Sequence, residues 1–180
     1  MNARTSLEKK QLDITLDRLC FELIERLGDF KDTALIGMQP RGIYLSRRIK
    51  EKLASILGKE NFLYGELDIS FYRDDFRRGN AQIVPSELKI DFTIQDKKIV
   101  LIDDVLYTGR SIRAALDALT DFGRPAKVEL LVLVDRKYSR DLPIQPDYVG
   151  IAVDTRTDDK VKVDWKENGK KDAVHIVTNG

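Results

Sequence analysis

The stretch Val100-Leu-Ile-Asp-Asp-Val-Leu-Tyr-Thr-Gly-Arg-Ser111 decides the fold. An unbroken apolar run over residues 99–102 ends on Asp103 and Asp104, and Gly109 then precedes a segment with helical periodicity. Apolar strands without polar alternation are typical of parallel sheets that helices cover on both faces. Residues 98–103 therefore predict a buried strand, and residues 108–122 predict a helix that begins after a short loop.

The segments on either side alternate between strand and helix patterns in the same way. Apolar positions at steps of three and four predict a first helix over residues 7–27, with a capping box at Thr5 and Glu8, and a second helix over 43–57. Strands are predicted at residues 33–37, 63–72 and 128–134, with shorter ones at 148–153, 161–165 and 173–177. This order predicts a single α/β domain over residues 1–180, a doubly wound parallel sheet with a small appended segment.

The segment between Tyr72 and Lys97 has no apolar periodicity. A connection of roughly 25 residues is too long for an ordinary loop in a compact domain, and such loops often act as lids. We therefore expect a long mobile lid loop over about residues 73–97. Arg73 stands at its start, whereas Arg77 and Arg78 are better interpreted as part of a solvated surface.

The composition excludes several classes of protein. The 180 residues carry 31 Lys and Arg against 30 Asp and Glu, a net charge of +1, which disfavours binding to nucleic acid through bulk charge. The single cysteine, Cys20, excludes an internal disulfide and is interpreted as a packed small hydrophobe. Neither a membrane-length apolar run nor an export signal is evident, so we expect a cytoplasmic protein.

Two single residues are interpreted as structural. Trp165 continues the apolar alternation of Val161 and Val163, which favours a place in the core or in a subunit contact. His175, the only histidine, lies among apolar strand residues near the terminus. Catalysis by a histidine base and metal binding by histidine therefore have little support.

The acid pair and the loop that follows it carry the clearest chemistry. Ligands of open α/β sheets bind beyond the carboxyl ends of the strands. There the hydroxyls of Thr108 and Ser111, the close approach allowed by Gly109 and the helix N-terminus suit a phosphate. Asp103 and Asp104 suit ribose hydroxyls or Mg²⁺. A sugar that carries a phosphate and a pyrophosphate would therefore fit both the acid pair and the loop that follows it.

Two other interpretations of the acid pair remain open at this point. Taken alone, Asp103 and Asp104 are equally compatible with a strand-end turn that has Asx capping. The phosphate-acceptor pocket of a signalling receiver domain also places acids at strand ends. Receiver domains carry their acid pair on the first strand, however, and this pair follows about 100 residues of chain.

A second glycine-containing loop, Gly37-Met-Gln-Pro-Arg-Gly42, follows one predicted strand and precedes a helix. Its two glycines have the spacing of a P-loop, but Ile43 and Tyr44 replace the Lys and Ser/Thr that a P-loop requires. The sequence therefore argues against a nucleoside triphosphate at this loop.

The segment from Val100 to Ser111 resembles the PRPP-binding signature of the type I phosphoribosyltransferases. Its amino-acid sequence is most similar to that of the bacterial pyrimidine operon regulatory proteins with uracil phosphoribosyltransferase activity. The resemblance covers nearly the whole chain. Seven further segments fall in the family's order and spacing: Gly42–Leu45, Leu67–Ile69, Tyr72–Asp75, Gly123–Pro125, Leu133–Arg136, Leu142–Ile144 and Asp147–Gly150.

The resemblance implies conversion of uracil and PRPP to UMP and pyrophosphate, with Mg²⁺ as cofactor, by a homo-oligomer of two or more subunits. The implied catalytic residues are Asp103, Asp104, Arg41 and Arg73, and the two acids would also bind the metal, through water. The 5′-phosphate would be held by Tyr107, Thr108, Gly109, Arg110 and Ser111. The pyrophosphate would be held by Gln39, Pro40, Arg41 and Gly42.

The base would lie under a hood of about residues 135–165 and be bound, largely by backbone groups, at Val134, Arg136, Tyr148 and Val149. An ion pair with Asp135 or Asp141 is an alternative role for Arg136. Relatives commonly have threonine where this chain has Pro40, joined to the arginine by a cis peptide. That departure leaves the geometry of the Pro40–Arg41 bond open.

The family's second function is binding of pyrimidine-operon leader RNA on a face that includes the first helix. The polar side of this helix carries Asp13, Asp17, Glu22 and Glu25 against Arg18 and Arg26. Phe21 stands where a polar RNA contact is expected. Because phosphates are bound by positive charge, the sequence favours the enzyme over the regulator. The alternatives are a purine phosphoribosyltransferase on the same scaffold and a protein that is mainly an RNA-binding attenuation regulator.

Overall fold

The computed structural model describes residues 2–72, 90–155 and 159–178. The elements in chain order are β1 (Asn2–Glu8), α1 (Lys9–Leu27), β2 (Thr33–Met38), α2 (Gly42–Leu57), β3 (Leu63–Leu67), β4 (Lys98–Leu106), α3 (Arg110–Leu119), β5 (Lys127–Lys137), β6 (Tyr148–Asp154), β7 (Lys160–Asp164) and β8 (Ala173–Thr178). Five of the strands form a parallel sheet in the order β3-β2-β4-β5-β6. This order places β4, which carries the acid pair, at the centre of the sheet.

Helices cover both faces of the parallel sheet. One core lies between the sheet and α1 and α2, with Leu16 and Ile49 among its buried residues. The other core lies between the sheet and α3, and Ala115 and Ile99 belong to it. The doubly wound α/β fold predicted from the unbroken apolar strands is therefore confirmed.

The remaining strands form a small antiparallel sheet in the order β1-β8-β7. It joins the start of the chain to its end, since Thr5 pairs with His175. The predicted hood, about residues 135–165, overlaps this sheet only at β7. The small sheet is thus built from three distant segments rather than from one appended segment.

The first helix begins later than the sequence predicts. Residues 2–8 form β1, so Thr5 does not cap the helix and the capping box predicted at Thr5 and Glu8 is wrong. Glu8 is the N-cap instead, and its backbone N–H donates a hydrogen bond to the side-chain oxygen of Gln11 at 3.1 Å. The pairing of β1 with β8 outweighs the local helical signal of the first residues.

Other sequence predictions have mixed outcomes. The strand predicted over residues 63–72 ends at Leu67, because the Asp68 carboxylate accepts hydrogen bonds from the backbone and hydroxyl of Ser70 and turns the chain. The prediction of a packed Cys20 is confirmed, and burial raises its pKa to about 12. Trp165 is fully buried in the core, as one of its two predicted roles requires.

Most of the predicted lid, including Arg73, Arg77 and Arg78, lies outside the described residues. Among the residues that are described, no helix is long and apolar enough to cross a membrane.

Arg48 of α2 fastens the small sheet to the rest of the domain. Its guanidinium donates to the carboxylates of Glu167 and Asp172 and lies 4.6 Å from the ring centroid of Trp165. The side chains of Arg48 and Asp172 are only 12% and 5% exposed. Burial alone would raise the pKa of Asp172, but the hydrogen bonds from Arg48 outweigh it and lower that pKa.

We expect Arg48→Gln to lower the free energy of unfolding at pH 7 by about 3–5 kcal/mol, because it leaves the buried Asp172 carboxylate uncompensated. A lowered carboxyl pKa stabilises the fold above its unfolded value, so the difference should shrink as the pH falls through the folded pKa. Urea denaturation at several pH values measures this. Lys52→Gln on the same helix, which removes an exposed pair with Asp17, is the control and should cost less than about 1 kcal/mol.

Candidate active site

The acid pair lies in a cleft of about 390 Å³ at the carboxyl ends of the strands. The residues around the cleft come from β2 and its following loop, the segment after β3, β4 and its following loop, the start of α3, β5 and β7. Among the described residues, they are Met38, Gln39, Pro40, Arg41, Ile69, Asp103, Asp104, Val105, Tyr107, Ser111, Arg136 and Val161. Three segments that the sequence analysis treated separately therefore meet at one site.

Asp103 and Asp104 stand side by side where the central strand leaves the core. Asp104 is only 5% exposed, and the Asp103 carboxylate accepts a hydrogen bond from the Asp104 backbone N–H at 2.9 Å. Burial, with the neighbouring Asp104 carboxylate, raises the pKa of Asp103 well above its usual value. Burial also raises the pKa of Asp104, and the charge of Arg41 opposes that increase. A half-buried carboxylate this close to a buried one favours a shared proton or a positively charged ligand.

One atom of the pair has no partner within the protein. Oδ2 of Asp104 is buried and forms no hydrogen bond. Buried polar atoms are nearly always hydrogen-bonded, and an exception calls for a ligand, an ion or water. A carboxylate oxygen is a suitable partner for a sugar hydroxyl or for a divalent cation that prefers oxygen ligands.

The loop after β2 closes the cleft on the side of Arg41. The backbone N–H of Gln39 donates to the carbonyl of Leu67 at 2.9 Å, and a cis peptide bond joins Gln39 to Pro40. At Gly42, a Cβ atom would lie 2.5 Å from the carbonyl oxygen of Ile102 and 3.1 Å from Oδ1 of Asp103. Only glycine permits this approach, so Gly42 places the start of α2 directly against the acid pair.

The loop after β4 leads into α3 on the other side of the cleft. Gly109 has φ +91° and precedes the first residue of the helix, so it supplies a left-handed conformation that other residues rarely adopt. Tyr107 and Ser111 line the cleft, whereas the Arg110 side chain pairs with Asp141 at 3.0 Å. The loop brings Thr108, Gly109 and the N-terminus of α3 together, an arrangement that suits an anion.

The side chains predicted at the base have different placements. Arg136 lines the cleft, donates to the hydroxyl of Thr155 at 3.0 Å and lies 3.8 Å from the ring centroid of Tyr107. Val134 is fully buried in the core.

Tyr148 is also fully buried, and its hydroxyl donates to Glu129 at 2.6 Å. Val149 packs against the core on the α3 side of the sheet. The structure thus does not bring the side chains of Val134, Tyr148 and Val149 to the acid pair. If these residues bind the base, they do so through their backbone groups.

Sequence reasoning missed several residues of the site. Met38 is the last residue of β2, next to the predicted strand end at residue 37, and Ile69 lies two residues beyond β3, where the sequence predicted a continuing strand. Val161 reaches the cleft from the small sheet, which no local pattern indicates.

A larger cavity of about 940 Å³ lies beside the small sheet, between Lys9 and Lys171. Of its three acids, Asp164 and Asp172 are already ion-paired, with Lys170 and Arg48 respectively, and Glu8 is the N-cap residue of α1. We therefore place the functional site at the smaller cleft, where a buried carboxylate oxygen has no partner.

Comparisons with known proteins agree with this site. Residues 4–167 match the family model described as a phosphoribosyl transferase domain. A bifunctional protein PyrR of Desulfosudis oleivorans is 46% identical over 179 residues, covering 99% of this chain and 98% of that protein. A bifunctional protein PyrR of Bacillus mycoides is 41% identical over 174 residues, covering 94% of each chain.

Solved structures share the fold at much lower sequence identity. A hypoxanthine-guanine phosphoribosyltransferase from Bacillus anthracis matches with a TM-score of 0.72 at 14% identity, over 99% of this chain and 100% of that one. A hypoxanthine phosphoribosyltransferase from Staphylococcus aureus matches with a TM-score of 0.70 at 16% identity, over 95% and 90% of the two chains. The family model and these full-length relatives show that the chain belongs to the phosphoribosyltransferase family, among the bifunctional PyrR proteins.

Proposed function

We propose that the protein transfers the phosphoribosyl group of PRPP to N1 of uracil, forming UMP and pyrophosphate. The observation that carries this proposal is the unpartnered, buried Oδ2 of Asp104, which lies between an arginine-bearing loop and a helix N-terminus. A sugar with a phosphate at one end and a pyrophosphate at the other fits these three features together. Uracil as the acceptor follows from the family resemblance and the full-length relatives.

In this reaction the bond between C1 of the ribose and the pyrophosphate oxygen breaks, and its electron pair leaves with the pyrophosphate. N1 of uracil forms the new bond to C1, and its proton is lost to solvent. Because the sugar carries positive charge while the old bond is breaking, the adjacent Asp104 carboxylate stabilises it electrostatically. Arg41 binds the leaving pyrophosphate, so the protein acts mainly through positioning and charge.

The acid pair also fits the Mg²⁺ that we propose as cofactor. Asp103 and Asp104 offer carboxylate oxygens in a partly buried site, one of them unpartnered, and such oxygens are the ligands that Mg²⁺ prefers. Bound Mg²⁺ would neutralise charge on the pyrophosphate and relieve the repulsion between the two acids. Arg73 is proposed to reach the same leaving group from the start of the long loop.

We expect the purified protein to form UMP from uracil and PRPP with Mg²⁺ and to leave hypoxanthine and guanine unconverted. A spectrophotometric assay with each base in turn measures this. Asp104→Asn should lower kcat at least about 100-fold, because it removes the negative charge beside the reacting carbon.

The thermal midpoint of Asp104→Asn should not fall below that of the wild type, since a costly buried charge has been removed. Turnover of a purine but not of uracil would move the assignment to a purine phosphoribosyltransferase. An active Asp104→Asn enzyme would contradict the role of that carboxylate.

The raised pKa of Asp103 makes stability depend on pH. A carboxyl group whose pKa is higher in the folded state binds more protons there than in the unfolded chain, so stability falls as the pH rises from the unfolded pKa through the folded one. We therefore expect Asp103→Asn, without Mg²⁺, to be more stable than the wild type at pH 8. The gain should be about 1.4 kcal/mol for each unit by which the pKa is raised.

Thermal unfolding between pH 4 and pH 8 measures this gain, which should vanish near pH 4. Asp91→Asn, which changes an exposed aspartate before β4, is the control for a general charge effect. An Asp103→Asn variant that is less stable than the wild type at pH 8 would contradict the claim that the charge of Asp103 destabilises the fold at that pH.

Binding of pyrimidine-operon leader RNA is a second candidate function, because the full-length relatives are named bifunctional. The outer face of α1 offers little unpaired positive charge for binding the phosphates of RNA. Arg18 donates to the carbonyls of Val149 and Gly150, and both Arg18 and Arg26 pair with Glu22. Phe21, on the same helix, is 58% exposed.

We expect leader RNA to bind no more tightly than non-specific RNA, with Kd of about 10⁻⁴–10⁻⁶ M at physiological salt. Filter binding at two salt concentrations, with an unrelated RNA of the same length as control, measures this. Selective binding of the leader at nanomolar protein would establish the regulatory function and contradict the expectation from α1.

A further inference from the structure

Arg140 makes an unusually complete set of hydrogen bonds beneath the loop that follows β4. Its Nη1 donates to the carbonyls of Leu106, Tyr107 and Arg136 at 3.3, 2.5 and 2.9 Å. Its Nε donates to the carbonyl of Ile144 at 3.1 Å, and Nη2 donates to the Asp135 carboxylate. One guanidinium thus ties the end of β4 to the end of β5.

The backbone around Arg140 adds to this attachment. The N–H groups of Asp141 and Leu142 donate to the carbonyl of Thr108 at 3.0 and 3.2 Å. Ile144 packs beneath Gly109, where a Cβ atom would lie 3.2 Å from its Cδ1. We call residues 138–144 the brace loop and residues 106–110 the phosphate loop.

The carbonyls of residues 106, 107 and 108 therefore all point at the brace loop. In a planar trans peptide the C=O of one residue and the N–H of the next point in opposite directions. The N–H groups of Tyr107, Thr108 and Gly109 consequently point away from the brace loop. Successive N–H groups that point to one side of a turn form a site for an anion.

We propose that Arg140 is a positioning residue that fixes the orientation of the phosphate loop's peptide groups for binding the 5′-phosphate. This inference rests on the proposed function for the identity of the ligand, but not for the geometry. Arg140 acts from the side opposite the ligand, by holding three carbonyls whose rotation would turn oxygen atoms toward the phosphate. Asp135 contributes by orienting the guanidinium of Arg140, whose side chain is 21% exposed.

Kinetics distinguish positioning from simple attraction between charges. Arg140→Gln should raise KM for PRPP about tenfold or more, as expected when hydrogen bonds from a charged group are lost, and leave KM for uracil within about twofold. Arg140→Lys keeps the charge but cannot bond five acceptors at once, so it should resemble Arg140→Gln. Arg124→Gln, at an exposed arginine just before β5, is the matched control and should behave like the wild type.

Hydrogen exchange followed by mass spectrometry tests the geometry without turnover. In Arg140→Gln, the amides of Asp141 and Leu142, which donate to the carbonyl of Thr108, should exchange at least about tenfold faster than in the wild type, while those of β2 keep their rates. This result stands even if the wild type does not convert uracil, so the inference and the proposed function can fail separately. Unchanged exchange at Asp141 and Leu142, or an active Arg140→Lys enzyme with the wild-type KM for PRPP, overturns the proposal.

Discussion

Two neighbouring carboxylates near the end of the central strand, Asp104 buried and Asp103 half-buried, are the constraint on which the rest of the site depends. Burying like charges is costly, and the raised pKa values of Asp103 and Asp104 express that cost. The apolar run of β4 nevertheless delivers both acids to the same edge of the sheet, within reach of Arg41. A proton or a cation relieves this repulsion, and a cation or a sugar hydroxyl supplies the partner that Oδ2 of Asp104 lacks.

Helix α2 connects this constraint to the rest of the molecule. Its first residue, Gly42, lies against β4 so closely that a Cβ atom would meet the carbonyl of Ile102. Further along the same helix, Arg48 binds the small sheet through Glu167 and Asp172. That sheet returns Val161 to the cleft. The position of the helix therefore fixes two walls of the cleft, and one of them belongs to a sheet that β1 and β8 complete.

The parts that could be predicted from sequence are those set by local pattern. Unbroken apolar runs predicted the buried strands, and the order of strand and helix predicted the doubly wound sheet. The pairing of β1 with β8 could not be predicted, because Thr5 and His175 are 170 positions apart and neither segment has a strong period. Arg140 was missed for a related reason, since four of its five partners are backbone carbonyls, which carry no signature in the sequence.

The same reasoning explains why counting arginines gives a poor estimate of how the protein binds anions. Arg18, Arg26 and Arg140 all donate to backbone carbonyls of the protein itself. Arg110, expected at the 5′-phosphate, has its guanidinium paired with Asp141. Of the 31 basic residues, Arg41 and Arg136 are the two that line the cleft in the described part of the chain, and Arg136 donates to the hydroxyl of Thr155. Much of the positive potential for phosphate must then come from oriented backbone N–H groups and the end of α3. Such groups contribute nothing to net charge, so a chain at +1 can still hold a ligand with several negative charges.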